Sequence, residues 1–395
     1  MRVLHILEAT QGGTRRHILD LLPALQARGI HCDLACSFLR NPQFVEDAAC
    51  LSGLGVGIYE VPMQRGWGGS QDIAAWRALR THLQTRRYDL IHCHSSKAGF
   101  IGRLLQTPGR GNAIPVVYTP HCIAFDTGLP RPQRRAARIA EKLLAPLTAH
   151  FIAVARHEWH MFKATKLCPP NRATVIYNGI DVRTFDTLTL SPPHPLTPSP
   201  SAFTIGCFGR LTRQKNQVAL LHAFAQIKQE VQGAQLMLIG GGEDEAKLRG
   251  LANQLCISKS VQWVGEVAEA RPYYALCDVI AQPSRWEGCP YSILEAMTAR
   301  RPVVATAVGG VQELLTCGTF QIHSTGQRDL APSRVGITYK PAHPAALASN
   351  LTQLAQNKEV RAMLGNTARH RVEEEFTLEQ MVEKTVKVYE QVTAF

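Results

Sequence analysis

The stretch FTIGCFGRLTRQKNQVALLHAFAQI, from Phe203 to Ile227, reads as a strand, a turn and a helix in immediate succession. Phe203–Phe208 is apolar or small throughout, as in a strand buried on both faces. Gly209 interrupts the run, and apolar residues then recur at helical spacing through Leu220, Phe224 and Ile227. A strand that feeds a helix is the repeating unit of a parallel sheet with helices packed on its faces.

Working outward, the same unit recurs in both directions. Toward the amino end, RVLHIL, HCDLAC, GVGIYEV, YDLIHC, IPVVYT, HFIAVA and ATVIYN alternate with helical-period segments. Toward the carboxyl end the strands are AQLMLI, SVQWVG, DVIAQP, PVVAT and VGITY, and helical segments follow from Pro344, Lys358 and Thr377. Between the two series lies TLTLSPPHPLTPSPSA, Thr187–Ala202, dense in Pro and Ser and without periodicity, which reads as a linker. The chain is therefore expected to be α/β, with two tandem Rossmann-like doubly wound domains at 1–186 and 203–376. Ligands of such sheets bind outside the carboxyl ends of the strands, so an interdomain cleft is the expected site.

Composition narrows the function classes. The chain has 395 residues, 45% hydrophobic, with no apolar run near the roughly 18 residues of a membrane span and no signal-peptide cleavage region, so it is expected in the cytoplasm. Eleven cysteines, odd in number and without a C-x-x-C pair, indicate neither a disulfide framework nor a zinc site. The net charge of +12 asks for an anionic partner. Much of it lies in RPQRRAARIAEKLLAPLTAH, where Arg131, Arg134, Arg135, Arg138 and Lys142 precede or face Ile139, Leu143, Leu144 and Leu147. This basic amphipathic helix fits a solvated face over a core stripe and equally a helix docked on the inner face of an anionic membrane. Nucleic acid is disfavoured, since no recognition helix or aromatic RNA-binding signature is present.

Two loops have phosphate-handling chemistry. After the strand at Phe203, Arg210 at the strand end and Lys215 near the helix start place two cations beside a helix N-terminus, which suits a diphosphate, although an exposed basic turn would look the same. Near the amino end, RVLHILEATQGGTRRHILDLL brings Gly12 and Gly13 to a strand–helix turn, where backbone can approach a ligand closely or simply satisfy its own geometry. LMLIGGGEDEAKL has Glu245 where a dinucleotide fingerprint wants its third glycine, which counts against NAD.

The segment RWEGCPYSILEAM, Arg285–Met297, sets Glu287 in a loop and Glu295 beyond a helix start near Pro290, so the two cannot share a helix face. Between them the first-turn N–H groups of Tyr291 and Ser292 suit an anion. A carboxylate next to a diphosphate would repel it, so both glutamates are better placed as acceptors for hydroxyls, sugar on one side and ribose on the other. Two unrelated surface glutamates fit the spacing as well.

Taken together, the E-x7-E segment, GRLTRQKN, VIYNGID, VVATAVGGVQELL and the N-terminal Gly-Gly turn resemble the retaining glycosyltransferases of family 4, of GT-B fold, over nearly the whole chain. The resemblance implies that Arg210 and Lys215 bind the donor's diphosphate, Glu295 the ribose and Glu287 the transferred sugar. It implies amides of Tyr291 and Ser292 over the phosphates, the base packed at Val264, Glu266 and Val267, and His121 reaching the donor sugar beside Gly12 and Gly13. Ser95, Ser96 and Lys97, in HSSKAG, fall on the acceptor side. The terminal helix, 377–395, is expected to pack back on the N-terminal domain. One departure is Asn216, where many members carry glycine after the lysine.

The implied reaction moves a hexose from a nucleoside diphosphate sugar, UDP or GDP, to a glycan or lipid-linked acceptor in surface polysaccharide or glycolipid synthesis. No cofactor and no metal are expected: His92 and His94 alone, two strand histidines without a nearby carboxylate, fit core or cleft-lining positions. A nucleotide-sugar 2-epimerase of the same architecture and an inactive membrane-surface binding protein remain the alternatives.

Overall fold

The computed structural model describes residues 1–64, 66, 69–106, 114–186, 202–316, 335–341, 343 and 345–394. The chain divides into two compact units, Met1–Asn178 with Leu378–Phe395, and Gly179–Thr377. The Pro/Ser-rich stretch lies outside the described residues from Thr187 to Ser201, as does Pro344.

Unit 1 alternates β1 (Arg2–Leu7), α1 (Gly12–Gln26), β2 (His31–Cys36), α2 (Phe44–Gly53), β3 (Gly57–Glu60), α3 (Ser70–Thr85), β4 (Leu90–His94), α4 (Ser96–Arg103), β5 (Val116–Thr119), α5 (Arg131–Leu144), β6 (His150–Ala153), α6 (Arg156–Ala164) and β7 (Ala173–Val175). Among the described residues these strands form one parallel sheet in the order β3-β2-β1-β4-β5-β6-β7. Side chains alternate across it. Val3 and Leu7 face a core shared with Ile18, Leu21 and Phe44 of α1 and α2, while Leu4 and Ile6 face Leu79, Ile101 and Phe162 of α3, α4 and α6. The terminal helix belongs here and is introduced last.

Unit 2 contains β8 (Thr204–Phe208), α7 (Gln217–Glu230), β9 (Gln235–Ile239), α8 (Glu245–Gln254), β10 (Val261–Gly265), α9 (Arg271–Ala275), β11 (Val279–Gln282), α10 (Tyr291–Thr298), β12 (Val303–Thr306), α11 (Val311–Leu315), β13 (Ile337–Tyr339), α12 (Ala345–Gln356) and α13 (Lys358–Glu375). Its described strands are also parallel, ordered β10-β9-β8-β11-β12-β13. Gly179–Asp186 groups with this unit: Ile180 bridges Thr377, and Arg369 reaches Asp186 at 2.8 Å. The chain then returns to unit 1 as α14 (Leu378–Thr393), which sends Met381, Val382, Val388 and Tyr389 into the β1 core.

Strand order reverses between β1 and β4 in unit 1 and between β8 and β11 in unit 2. Loops that leave these strands diverge to opposite faces and open a crevice at their carboxyl ends. Gly12, Arg210 and Glu287 lie a few residues beyond β1, β8 and β11, and His94 is the last residue of β4.

Candidate functional site

In unit 2 the site grows from β8 and β11. The chain leaves β8 at Gly209, whose φ of 131° lies where glycine is favoured over residues with a side chain. A Cβ there would sit 2.9 Å from Lys215 Cε, so its absence lets the lysine stem lie across the turn. Asn216 follows at φ 56°. Asparagine is a residue that tolerates this left-handed conformation, so the departure from glycine preserves the turn. Its amide also donates to Pro283 O at 3.1 Å and accepts from Arg285 at 3.0 Å, while Arg285 N reaches Gln214 O at 2.8 Å. These bonds join the Lys215 loop to the loop after β11.

Where the loops meet, Glu287 is 8% exposed. Its Oε1 accepts from Lys215 Nζ at 2.7 Å, Ser284 Oγ at 2.7 Å and Gln282 Nε2 at 3.1 Å. All three donors converge on one oxygen, and Oε2 takes none of them. The carboxylate is thus fixed by charge-assisted bonds, with its second oxygen able to accept from a ligand hydroxyl. Sequence reasoning treated the cation and the carboxylate as separate parts; the fold makes them one ion pair. It also missed Gln282 and Ser284, and no sequence signal marked them.

Gly309 supports this loop from the far side. It has a φ of 47°, and a Cβ on it would lie 1.8 Å from Glu287 O. Gly310 N donates to Gly288 O at 3.0 Å next to it. The motif VVATAVGGVQELL contained this glycine, which is the one signal that could have drawn attention to it. The Gly240–Gly242 run serves a similar purpose: Cβ atoms on Gly240 and Gly242 would each lie 2.4 Å from the backbone oxygens of Gly209 and Leu211. Those glycines permit two loops to pack backbone on backbone.

Glu295 is held from another direction. Tyr274 Oη lies 2.8 Å from Glu295 Oε2 and 3.2 Å from Ser292 O, and its ring stacks on Phe208 with centroids 3.7 Å apart. Burial, then the neighbouring carboxylate, pushes the Tyr274 hydroxyl well above its ordinary pKa, so it remains a donor. Tyr291 and Ser292 open α10, ahead of the first intrahelical bonds made by Ile293 and Leu294. Val264 in β10 and Val267 beyond it are partly buried, and Glu266 is exposed beside Gly241. Arg210 is partly buried, and its carbonyl accepts from Gln217 at 3.0 Å.

In unit 1, Gly12 starts α1 at φ 64°, and both Gly12 and Gly13 are exposed. His121 lies after β5 at φ 59° with Cys122 at φ 128°. This unusual backbone is anchored by Glu158 of α6, which accepts from Cys122 N at 3.1 Å and Val154 N at 2.9 Å. Burial raises that carboxyl to about 7. The two strand histidines foreseen in the sequence join three others. His5 Nδ1 and His94 Nε2 are 3.1 Å apart, His94 Nδ1 and His121 Nε2 are 3.1 Å apart, and His17 packs edge-on against His121. His92 lies between Tyr389 Oη at 2.5 Å and Thr119 Oγ1 at 2.8 Å.

The expected acceptor-side loop divides. Ser95 and Ser96 stand at the start of α4, but Lys97 is buried with Nζ on both oxygens of Asp72, at 2.6 and 2.7 Å. That ammonium has its counter-ion within the fold. In α5 the buried stripe is Ala137, Glu141 and Leu144, whereas Ile139 and Leu143 are exposed among Arg131, Arg134, Arg135, Arg138 and Lys142. Glu141 is committed inward to Arg103 at 2.9 Å. No described helix is long and apolar enough to cross a membrane.

The family model described as Glycosyltransferase Family 4 matches residues 11–184, and that described as Glycosyl transferases group 1 matches residues 202–357. The Bacillus subtilis (strain 168) protein EpsD, named as a glycosyltransferase, is 27% identical over 336 residues, which are 82% of this chain and 83% of that one. An Escherichia coli UDP-Gal:alpha-D-GlcNAc-diphosphoundecaprenol alpha-1,3-galactosyltransferase is 25% identical over 247 residues, 61% of this chain and 63% of that protein. Among solved structures, Anabaena HepE in complex with UDP and glucose superposes with a TM-score of 0.77 at 20% identity, covering 99% of this chain and all of that one. With both sheets doubly wound and the two family models together spanning most of its length, the chain belongs to the family 4, group 1 glycosyltransferases and has their GT-B fold.

Proposed function

We propose that this protein transfers a hexose, with retention of anomeric configuration, from a nucleoside diphosphate sugar to a glycan or lipid-linked acceptor in polysaccharide or glycolipid synthesis. The observation that carries the reading is the Lys215–Glu287 pair, in which Glu287 is buried and Lys215 partly so. It sets a cation for a phosphate directly beside a carboxylate whose second oxygen is open to a sugar hydroxyl. Arg210 and Lys215, with the α10 amides of Tyr291 and Ser292, neutralise the departing diphosphate, which needs no divalent ion at the phosphates. Glu295, oriented by Tyr274, takes the ribose, and Val264, Glu266 and Val267 border the base. UDP is favoured over GDP because HepE, of the same fold, is known with UDP.

In unit 1, Gly12, Gly13 and His121 serve the donor sugar, and Ser95 and Ser96 the acceptor. The protein works in the cytoplasm. Exposed Ile139 and Leu143 among five cations on α5 fit a helix resting on an anionic membrane surface, where a lipid-linked acceptor would be found. The test is to incubate the protein with UDP- and GDP-hexoses and a lipid diphosphate–sugar acceptor in EDTA, then to read product configuration by NMR. Retention with EDTA present supports the proposal. Inversion, or turnover only on adding Mg²⁺ or Mn²⁺, overturns it.

A further inference from the structure

We propose that His17, His94 and His121 form a binding site for one divalent transition-metal ion of the Zn²⁺ class. Their ring centroids are 4.6 Å (His17–His121), 5.4 Å (His94–His121) and 5.5 Å (His17–His94) apart. Three imidazoles bound tetrahedrally at Zn–N distances of about 2.0–2.1 Å have centroids roughly 5 Å apart and ligand nitrogens roughly 3.3 Å apart. His94 Nδ1 and His121 Nε2 already approach to 3.1 Å. One candidate ligand nitrogen from each residue lies within 4.8 Å of the other two.

Two of the three outer nitrogens, those of His17 and His94, are held as ligand histidines usually are. His17 Nδ1 meets Asn178 Oδ1 at 3.1 Å, which leaves Nε2 for a metal, and His94 Nε2 meets His5 Nδ1 at 3.1 Å. Such outer contacts fix ring orientation and tautomer. The overlapping trio His5, His92 and His94 is the weaker candidate, because both nitrogens of His92 are engaged by Tyr389 and Thr119. An all-imidazole set favours Zn²⁺, Co²⁺, Ni²⁺ or Cu²⁺ over Mg²⁺ and Ca²⁺, which want oxygen. His121 is partly exposed, so a fourth position can take water.

The functional consequence rests on the proposed role of His121 at the donor sugar. An ion on its Nε2 would withdraw the ring from that role, so Zn²⁺ acts as an inhibitor of transfer. The experiment uses the full chain, stripped with chelator and titrated with Co²⁺. The expected result is one ion per chain with the intense visible bands of tetrahedral Co²⁺, displaced by Zn²⁺. His17→Gln should abolish the bands, and Asn178→Ala should weaken Co²⁺ binding by about tenfold or more. If His17→Gln does not fold, Asn178→Ala carries the test alone. Weak octahedral spectra, or tetrahedral bands unchanged in the variants that fold, overturn the site. Zn²⁺ inhibition reversed by EDTA supports the link to His121. Normal Co²⁺ bands without Zn²⁺ inhibition support the site and contradict the assignment of His121 to the sugar, so the two failures are distinguishable.

Discussion

Gly309→Ala should disable the sugar site while leaving nucleotide binding in place. The added Cβ would meet Glu287 O at 1.8 Å and Glu287 C at 3.0 Å. The obstacle is backbone, so no side chain can rotate away, and the loop must retreat by more than an ångström to reach an acceptable contact. Displacement of a catalytic or positioning group by about 1 Å can cost roughly 100-fold in rate. A left-handed φ of 47° in alanine adds about 1–2 kcal/mol, and overpacking about 1–3 kcal/mol, so unit 2 should melt several degrees lower yet remain folded. Glu287 contacts the sugar in this account and Glu295 the ribose. UDP affinity by calorimetry should therefore stay within about threefold, while nucleoside diphosphate release from the sugar nucleotide falls about 100-fold. Gly250→Ala is the control, because its Cβ would meet nothing within 4 Å. Transfer within twofold of wild type in a folded Gly309→Ala protein would refute the reasoning.

Three other outcomes follow from the same geometry. Tyr274→Phe removes the hydroxyl 2.8 Å from Glu295 Oε2 and should weaken nucleotide binding by about 1.5 kcal/mol, roughly tenfold in Kd; unchanged Kd would mean that Glu295 is oriented by other contacts. Unit 1 should be acid-labile: His5 is lowered to about 3 and His17 to about 4, with His92, His94 and His121 lowered as well. Depressed histidine values give stability that is present above the ordinary 6.5 and lost as pH falls toward 4. His150, lowered to about 4, and His82, also lowered, act in the same direction, and Glu158, raised from 4.5 to about 7, has the opposite slope but is one group against seven histidines, so urea unfolding should show net loss from pH 6.5 to 4.5, and a flat profile would contradict the buried neutral cluster. Charge reversal at Arg134, Arg135 and Arg138 should abolish sedimentation with anionic liposomes and leave turnover on a water-soluble acceptor unchanged; sedimentation that persists would remove α5 as the docking surface.

The strands of both sheets were legible because a parallel strand buried on both faces must be a short apolar run, and RVLHIL, HCDLAC and FTIGCF are such runs. Glu287 and Glu295 were legible as non-equivalent, since Gly288 and Pro290 forbid a common helix. What holds each carboxylate was not. Lys215 and Glu287 are 72 positions apart, and Tyr274 and Glu295 are 21 apart. The first pairing follows from β8 and β11 lying side by side, and the second from α9 and α10 packing together, facts of topology rather than of local pattern. The same holds for Lys97, which looked available until α3 brought Asp72 to it, and for Ile139 and Leu143, whose helical phase turned outward when Glu141 was claimed by Arg103. The histidine cluster draws on β1, α1, β4 and the turn after β5, so no window of sequence contains it.

The central claim, that unit 2 holds a nucleoside diphosphate sugar through Arg210, Lys215 and Glu287, is tested most directly by calorimetric titration of wild type, Arg210→Ala and Glu287→Ala with UDP, GDP, ADP and their hexose conjugates in EDTA. The account predicts metal-free binding selective for one base, UDP foremost. That binding should be lost with Arg210→Ala, whereas Glu287→Ala should lose only the added affinity of the sugar conjugate over the bare nucleotide. Absence of binding by any of the ligands, or equal affinity in all three proteins, would contradict it.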